Sequence, residues 1–261
     1  MNDYCVQDLI LAGVKWEIAD VPCALRAKWN AASAPIATQP QSDTNSSHAS
    51  TRAAVVPPIA PSCTVTQDAA DSMARRPVDV DGLVRMIAEL NHPLRAVATG
   101  TVFPNIAKNP NGLVIVTDVP GAEDDATGKI LSGPSGELMD KMLAAIGMSR
   151  DNVSIIPIVF WRTPGGRTPT NEELSLARPF VMRLIEFLSP RAILTLGATP
   201  ASEIAGIKLS TAHGRLCNTS DGVPVMPIYH PNYLLLKPSA KRDVWTALQD
   251  LQNLLKNQYF Y

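Results

Sequence analysis

Four short apolar runs, each followed by a stretch with helical spacing, leave few folds open to this chain. They are Leu113 to Val116, Val153 to Phe160, Ala192 to Leu196 and Pro224 to Ile228. Each has strand length, and β-branched residues are frequent among them. Between them, apolar residues recur three and four apart, as at Leu138, Met139, Met142, Leu143 and Ile146. That is the pattern of a helix with one buried face. Strand and helix alternating in this way predict an α/β protein of three layers, a four-stranded parallel sheet between helices. Loops that leave parallel strands gather on one rim, where open α/β sheets build their sites. Three such loops carry chemistry: an acidic one with Asp118, Glu123, Asp124 and Asp125, an arginine-bearing one from Trp161 to Thr170, and one with His230.

Composition narrows the functional classes. Hydrophobic residues make up 46% of the 261, enough for a sizeable core. The net charge of −1 does not mark the whole chain as a nucleic-acid binder, although a local basic surface remains open. No run approaches the ~18 apolar residues of a membrane span. The first residues include Asp3 and Asp8 and lack the basic lead-in of a signal peptide, so a cytoplasmic protein is expected. Cys5, Cys23, Cys63 and Cys217 are scattered, with no C-x-x-C pair to suggest zinc or an iron–sulfur cluster.

Three segments are expected. Residues 1–30 carry apolar positions such as Leu9, Trp16 and Trp29 and read as a helical piece that docks on the main domain or on a partner. Residues 31–77, rich in Ala, Ser, Thr and Pro, read as a disordered linker. The folded domain then runs over 78–261, opening on a helix with Val80, Leu83, Ile87 and Leu90, and Asp79 or Asp81 as its cap. Pro157 is expected at a strand end or bulge. Thr170 and Glu173 have the spacing of a capping box, and Pro179 is expected to kink the helix that follows.

The segments GAEDDATG, GELMDKMLAAIG, WRTPGGRTPT, LGATPA, HGR and YHPNYLL, in this order, resemble the bacterial family 4 uracil-DNA glycosylases. The similarity covers roughly Leu113 to Leu251, and the N-terminal segment looks like that of alphaproteobacterial members. The resemblance implies the uracil-DNA glycosylase fold and hydrolysis of the N-glycosidic bond of deoxyuridine in DNA, as base excision repair requires. In that reaction the sugar becomes cation-like and the base leaves as an anion. A carboxylate can support the first and a hydrogen-bond donor the second.

By this resemblance Asp118 is the acid, within Thr117-Asp118 where the family usually has Gly-Glu. His230, in His-Pro, is the donor to the departing base. Val119, Pro120, Gly121, Asp124, Leu131 and Pro157 would line the base pocket. Leu234 to Leu236 would be the wedge that fills the gap left by the extruded nucleotide. Arg162, Arg167, Arg215, Asn232, Leu234, Leu235 and Lys241 would touch DNA, with Lys237 and Arg242 as further phosphate contacts.

Three departures stand out. Pro157 replaces the Asn that reads the uracil edge, and Leu131 replaces the Phe that stacks on the base. Glu89, His92, Trp161 and Ala177 stand near the positions of the four cluster cysteines. No iron–sulfur cluster and no metal are therefore expected, with packing such as that of Trp161 in their structural place. A second reading follows from the first two departures: a catalytically weakened DNA-binding relative that serves as a repair accessory protein. A third is a hydrolase of free nucleosides. A monomer acting on uracil-containing DNA, without membrane contact, and a repair partner at residues 1–30 complete the expectations.

Overall fold

A computed structural model describes residues 66–257. The expectations for residues 1–30 and for the linker up to residue 65 lie outside the described residues. The folded unit starts earlier than expected: helix α1, Gln67–Arg75, stands within the stretch assigned to the linker. Its buried residues are Ala70 and Ala74. An alanine-rich composition reads as low in hydrophobic surface, yet alanine is the best helix former and permits close helix approach. Thr66 accepts the N–H of Ala69 and caps α1.

The remaining elements alternate as the periodicity predicts. They are α2 (Val80–Glu89), β1 (Leu113–Thr117), α3 (Ala122–Thr127), α4 (Gly133–Ala145), β2 (Ser154–Pro157), α5 (Asn171–Leu188) and β3 (Ala192–Leu196). Then follow α6 (Ala198–Ala205), α7 (Leu209–Ala212), β4 (Cys217–Asn218), β5 (Pro224–Ile228), α8 (Pro231–Leu236) and α9 (Lys241–Asn257). Asp79 caps α2 by accepting the N–H of Gly82 at 2.7 Å. Pro157 is the last residue of β2, where its missing N–H matters least. Helix α5 carries Pro179 inside its 18 residues. The segment from Val97 to Phe103 forms no strand; Phe103 makes a single bridge to Lys129.

The sheet has five strands in the order β2-β1-β3-β5-β4. The four expected strands are parallel, and β4 adds a two-residue antiparallel edge on β5. So short a strand leaves no periodic trace in a sequence. Register divides the core. Ile115 pairs with Ile155 and Leu194, and Leu194 with Met226, all on the face covered by α4, α8 and α9. Val114 pairs with Ile193, and Ile193 with Val225, on the face covered by α1, α2 and α5. Each fully buried aliphatic side chain on these faces contributes about 1.5–3 kcal/mol. The sheet thereby becomes a rigid base for the loops at its carboxyl rim.

Candidate active site

The rim site grows from three strand ends. β1 ends in Thr117, followed by Asp118; β3 ends in Leu196, followed by Gly197; β5 ends in Ile228, followed by Tyr229 and His230. Asp118 bends back so that Oδ1 accepts the N–H of Val119 at 3.0 Å. Its Oδ2 lies 3.0 Å from the place a Cβ on residue 197 would occupy. Gly197 has φ +105° and ψ 176°, a region open to glycine and hardly to any other residue, and its N–H donates to Ile228 at 2.9 Å. The acid from β1 and the turn that bears the imidazole are thus joined through a backbone without a side chain.

His230 caps α8. Its Nδ1 accepts the N–H of Asn232 at 3.2 Å, and its Nε2 lies 3.1 Å from Thr117 Oγ1. Burial pushes the imidazole below the usual histidine range, against the upward pull of the Asp118 and Asp124 carboxylates. The preceding Tyr229 stacks on His213 at 3.9 Å and packs tilted against Tyr233 at 4.7 Å, which seats the turn. The histidine of the HGR segment therefore packs beneath Tyr229.

The loop after β1 is closed by Asp124. One oxygen accepts the N–H of Gly121 at 2.9 Å and the other that of Ser132 at 2.6 Å. This carboxylate organises the loop. Asp125 clamps the neighbouring segment through the N–H groups of Thr99 and Gly100. Val119 and Gly121 are half-buried, and Pro120 and Pro157 are buried. Leu131 is 2% exposed, so it offers a base almost no face. It stands at φ +52°, uncommon for a branched side chain, and costs roughly 1–2 kcal/mol there. Arg150 holds that turn by donating to the carbonyls of Ile130 at 2.8 Å and Leu131 at 2.7 Å. Gly136 leaves room for the same Leu131 carbonyl. Sequence reading misses Arg150 because its partners lie about twenty positions away with no local pattern to reveal them. The Ser132 and Ser135 hydroxyls are engaged within the loop.

The DNA-contact candidates separate into groups. Arg162 is half-buried and Arg215 exposed, and neither forms an ion pair among the described residues. Arg167 instead makes a two-pronged pair with Glu173, at 2.5 and 2.8 Å. Asn232 is exposed, and Lys241 is half-buried, its ammonium held below the usual lysine range by burial and by Lys141. Leu234 is 1% exposed and belongs to the core, whereas Leu235 and Leu236 are 42% and 86% exposed. Lys237 stands 6.0 Å from the Tyr233 ring centre. A groove of about 630 Å³ beside α1 and α5, lined by Gln67, Asp71, Arg75, Arg178 and Met182, shares no residue with the rim site.

His92 and Trp161 stack at 4.8 Å with their planes 15° apart. Both His92 nitrogens are engaged: Nδ1 accepts the N–H of Leu94, and Nε2 donates to the Glu173 carbonyl. Trp161 and Ala177 are fully buried, and Glu89 is exposed. An indole and a methyl group are no ligands for iron, and this imidazole has no nitrogen to spare, so these residues do not suit a cluster. Among the described residues no group of His, Cys, Asp or Glu could hold a metal ion, and no helix is long and apolar enough to cross a membrane.

A parallel sheet with a carboxylate and a half-buried imidazole at its carboxyl rim defines an open α/β protein whose candidate site lies where such sheets place theirs. The family model for the uracil DNA glycosylase superfamily matches residues 103–252. The type-4 uracil-DNA glycosylase of Thermotoga maritima is 32% identical over 151 residues, covering 56% of this chain and 79% of that one. Those of Pyrobaculum aerophilum and Archaeoglobus fulgidus are 30% and 29% identical, over 51% and 54% of this chain and 72% and 75% of their own. The chain belongs to the uracil DNA glycosylase superfamily, on its type-4 branch.

Proposed function

We propose that this protein removes uracil from DNA by hydrolysing the N-glycosidic bond, with Asp118 and His230 as its catalytic residues. The observation that carries this reading is the convergence of the two on one rim, through Gly197 on one side and Thr117 on the other. The C1′–N1 bond breaks with its electron pair leaving on the base. The Asp118 carboxylate supports the positive charge on the sugar and accepts a proton from the water whose oxygen bonds C1′. His230 donates through Nε2–H to the carbonyl oxygen on which the base's negative charge collects. The base anion then takes a proton from solvent. A donor in this role contributes roughly 10²–10³ in rate.

Leu235 and Leu236, exposed beside His230, supply the wedge that replaces the extruded nucleotide. Arg162, Arg215, Lys237 and Arg242 supply phosphate contacts. Arg167 and Leu234, engaged in the fold, are not needed for it. A DNA substrate places the reaction in the compartment that holds DNA. The protein works without an iron–sulfur cluster, its place taken by the His92–Trp161 stack.

Two observations favour a second reading, a weakened DNA-binding relative. Leu131 is buried and Pro157 has no side-chain hydrogen bond to give, so neither reads the base by its side chain. An assay of purified protein on oligonucleotides carrying uracil and other damaged bases, with iron measured on the same sample, separates the two. Uracil release by protein free of iron is expected. Salt-sensitive DNA binding with no base released would leave the second reading standing, and stoichiometric iron would overturn the cluster-free account.

A further inference from the structure

Thr117 has no task in the reaction as drawn above, yet its hydroxyl meets the imidazole used there. It is 3% exposed at the end of β1, and its Oγ1 lies 3.1 Å from His230 Nε2. The other ring nitrogen, Nδ1, accepts the N–H of Asn232 at 3.2 Å. A neutral imidazole carries one proton, and a nitrogen that accepts cannot hold it. The proton is therefore on Nε2, and Nε2–H donates to Thr117 Oγ1. The hydroxyl is itself firmly placed. β-Branching restricts its χ1. Its backbone is in register with Pro157, and its carbonyl accepts the N–H of Ile158 at 2.9 Å.

We propose that Thr117 is a positioning residue for the leaving-base step: with the Asn232 N–H keeping Nδ1 an acceptor, the Thr117 hydroxyl receives the His230 Nε2–H, fixes the ring's orientation at the rim and gives up the bond to the base's carbonyl oxygen. The inference rests on the role given to His230 above. Valine matches the shape of this side chain and lacks the hydroxyl that receives the Nε2–H.

The test is histidine ¹⁵N NMR on the full chain at neutral pH, together with uracil-release kinetics. Wild-type His230 should show the Nε2-protonated tautomer. Thr117→Val should keep this tautomer, since the Asn232 N–H still meets Nδ1, but shift the His230 Nε2–H signal upfield as its acceptor is lost, and lower kcat by about tenfold, part of what orienting a catalytic group supplies, with KM within about twofold. Thr117→Ser should restore both readouts. Nδ1-protonated His230 in the wild type would overturn the proposal, as would a folded Thr117→Val with unchanged Nε2–H signal and rate. If that variant does not fold, Thr117→Ala takes its place with the same two readouts. Should the Nε2–H signal respond as expected in a protein that releases no base, the positioning by Thr117 stands and the glycosylase reading falls.

Discussion

Gly197 links the acid to the imidazole-bearing turn because it has no side chain. An alanine there would set its Cβ 3.0 Å from Asp118 Oδ2, in a backbone conformation with φ +105°. Such conformations cost roughly 1–3 kcal/mol. Gly197→Ala should therefore destabilise the fold by about that amount and, by displacing the carboxylate, lower kcat. Urea unfolding and a uracil-release assay check the two effects together; lost stability with unchanged kcat would show that the position of Asp118 is not critical. At this scale the site was partly legible. Asp118 and His230 stand just past strand ends, where hydrophobic runs stop and a polar residue is easily seen. The burial of Leu131 and Leu234 was not legible, since each sits in a motif read as pocket or wedge while its side chain fills the core face under α4, α8 and α9. Thr117 was visible only as an unusual neighbour of Asp118.

Arg167 matters to an element more than to the site. Thr170 and Glu173 cap α5 reciprocally, at 3.2 and 2.7 Å, and Arg167 pairs with the same Glu173 carboxylate. That bond is the main reason Glu173 is held below the usual carboxylate range. The Glu173 carbonyl in turn accepts from His92, which stacks on Trp161. Arg167→Ala is accordingly expected to lower Tm while leaving the salt dependence of DNA binding unchanged. Arg215→Ala should reduce the slope of log K against log salt by about one and leave Tm alone. A reversed pattern in thermal melts and salt titrations would return Arg167 to the DNA surface. The capping box was readable from its spacing, as were β1, β3 and β5 from their apolar runs. α1 was not, because alanines make its contact face, and neither was β4, which is two residues long.

Across the whole molecule, three histidines share one electrostatic condition. Burial holds His92, His213 and His230 below the usual histidine range, opposed by Glu173, Asp243 and the Asp118–Asp124 pair respectively. Below the unfolded value of about 6.5 the unfolded chain binds more protons than the folded one. The stability linked to neutral burial is thus complete above that pH and is lost as pH falls through the folded values. Glu173 is shifted downward as well, so its contribution is complete above about 4.3 and lost only in stronger acid. Urea unfolding across pH should show a plateau near pH 7–8, a decline below about 6.5 and a further one below about 4.3; stability that rises on acidification from neutrality would contradict the burial of these rings. The proposed function rests on one arrangement, the Asp118 carboxylate and the His230 imidazole acting on the same bond. The most direct test is the single-turnover rate of uracil release by the wild type, Asp118→Asn, His230→Ala and the double variant. Each single change should lower the rate by roughly 10²–10³, and the double change by less than the product of the two. Single variants that keep the wild-type rate would place the chemistry elsewhere on the molecule.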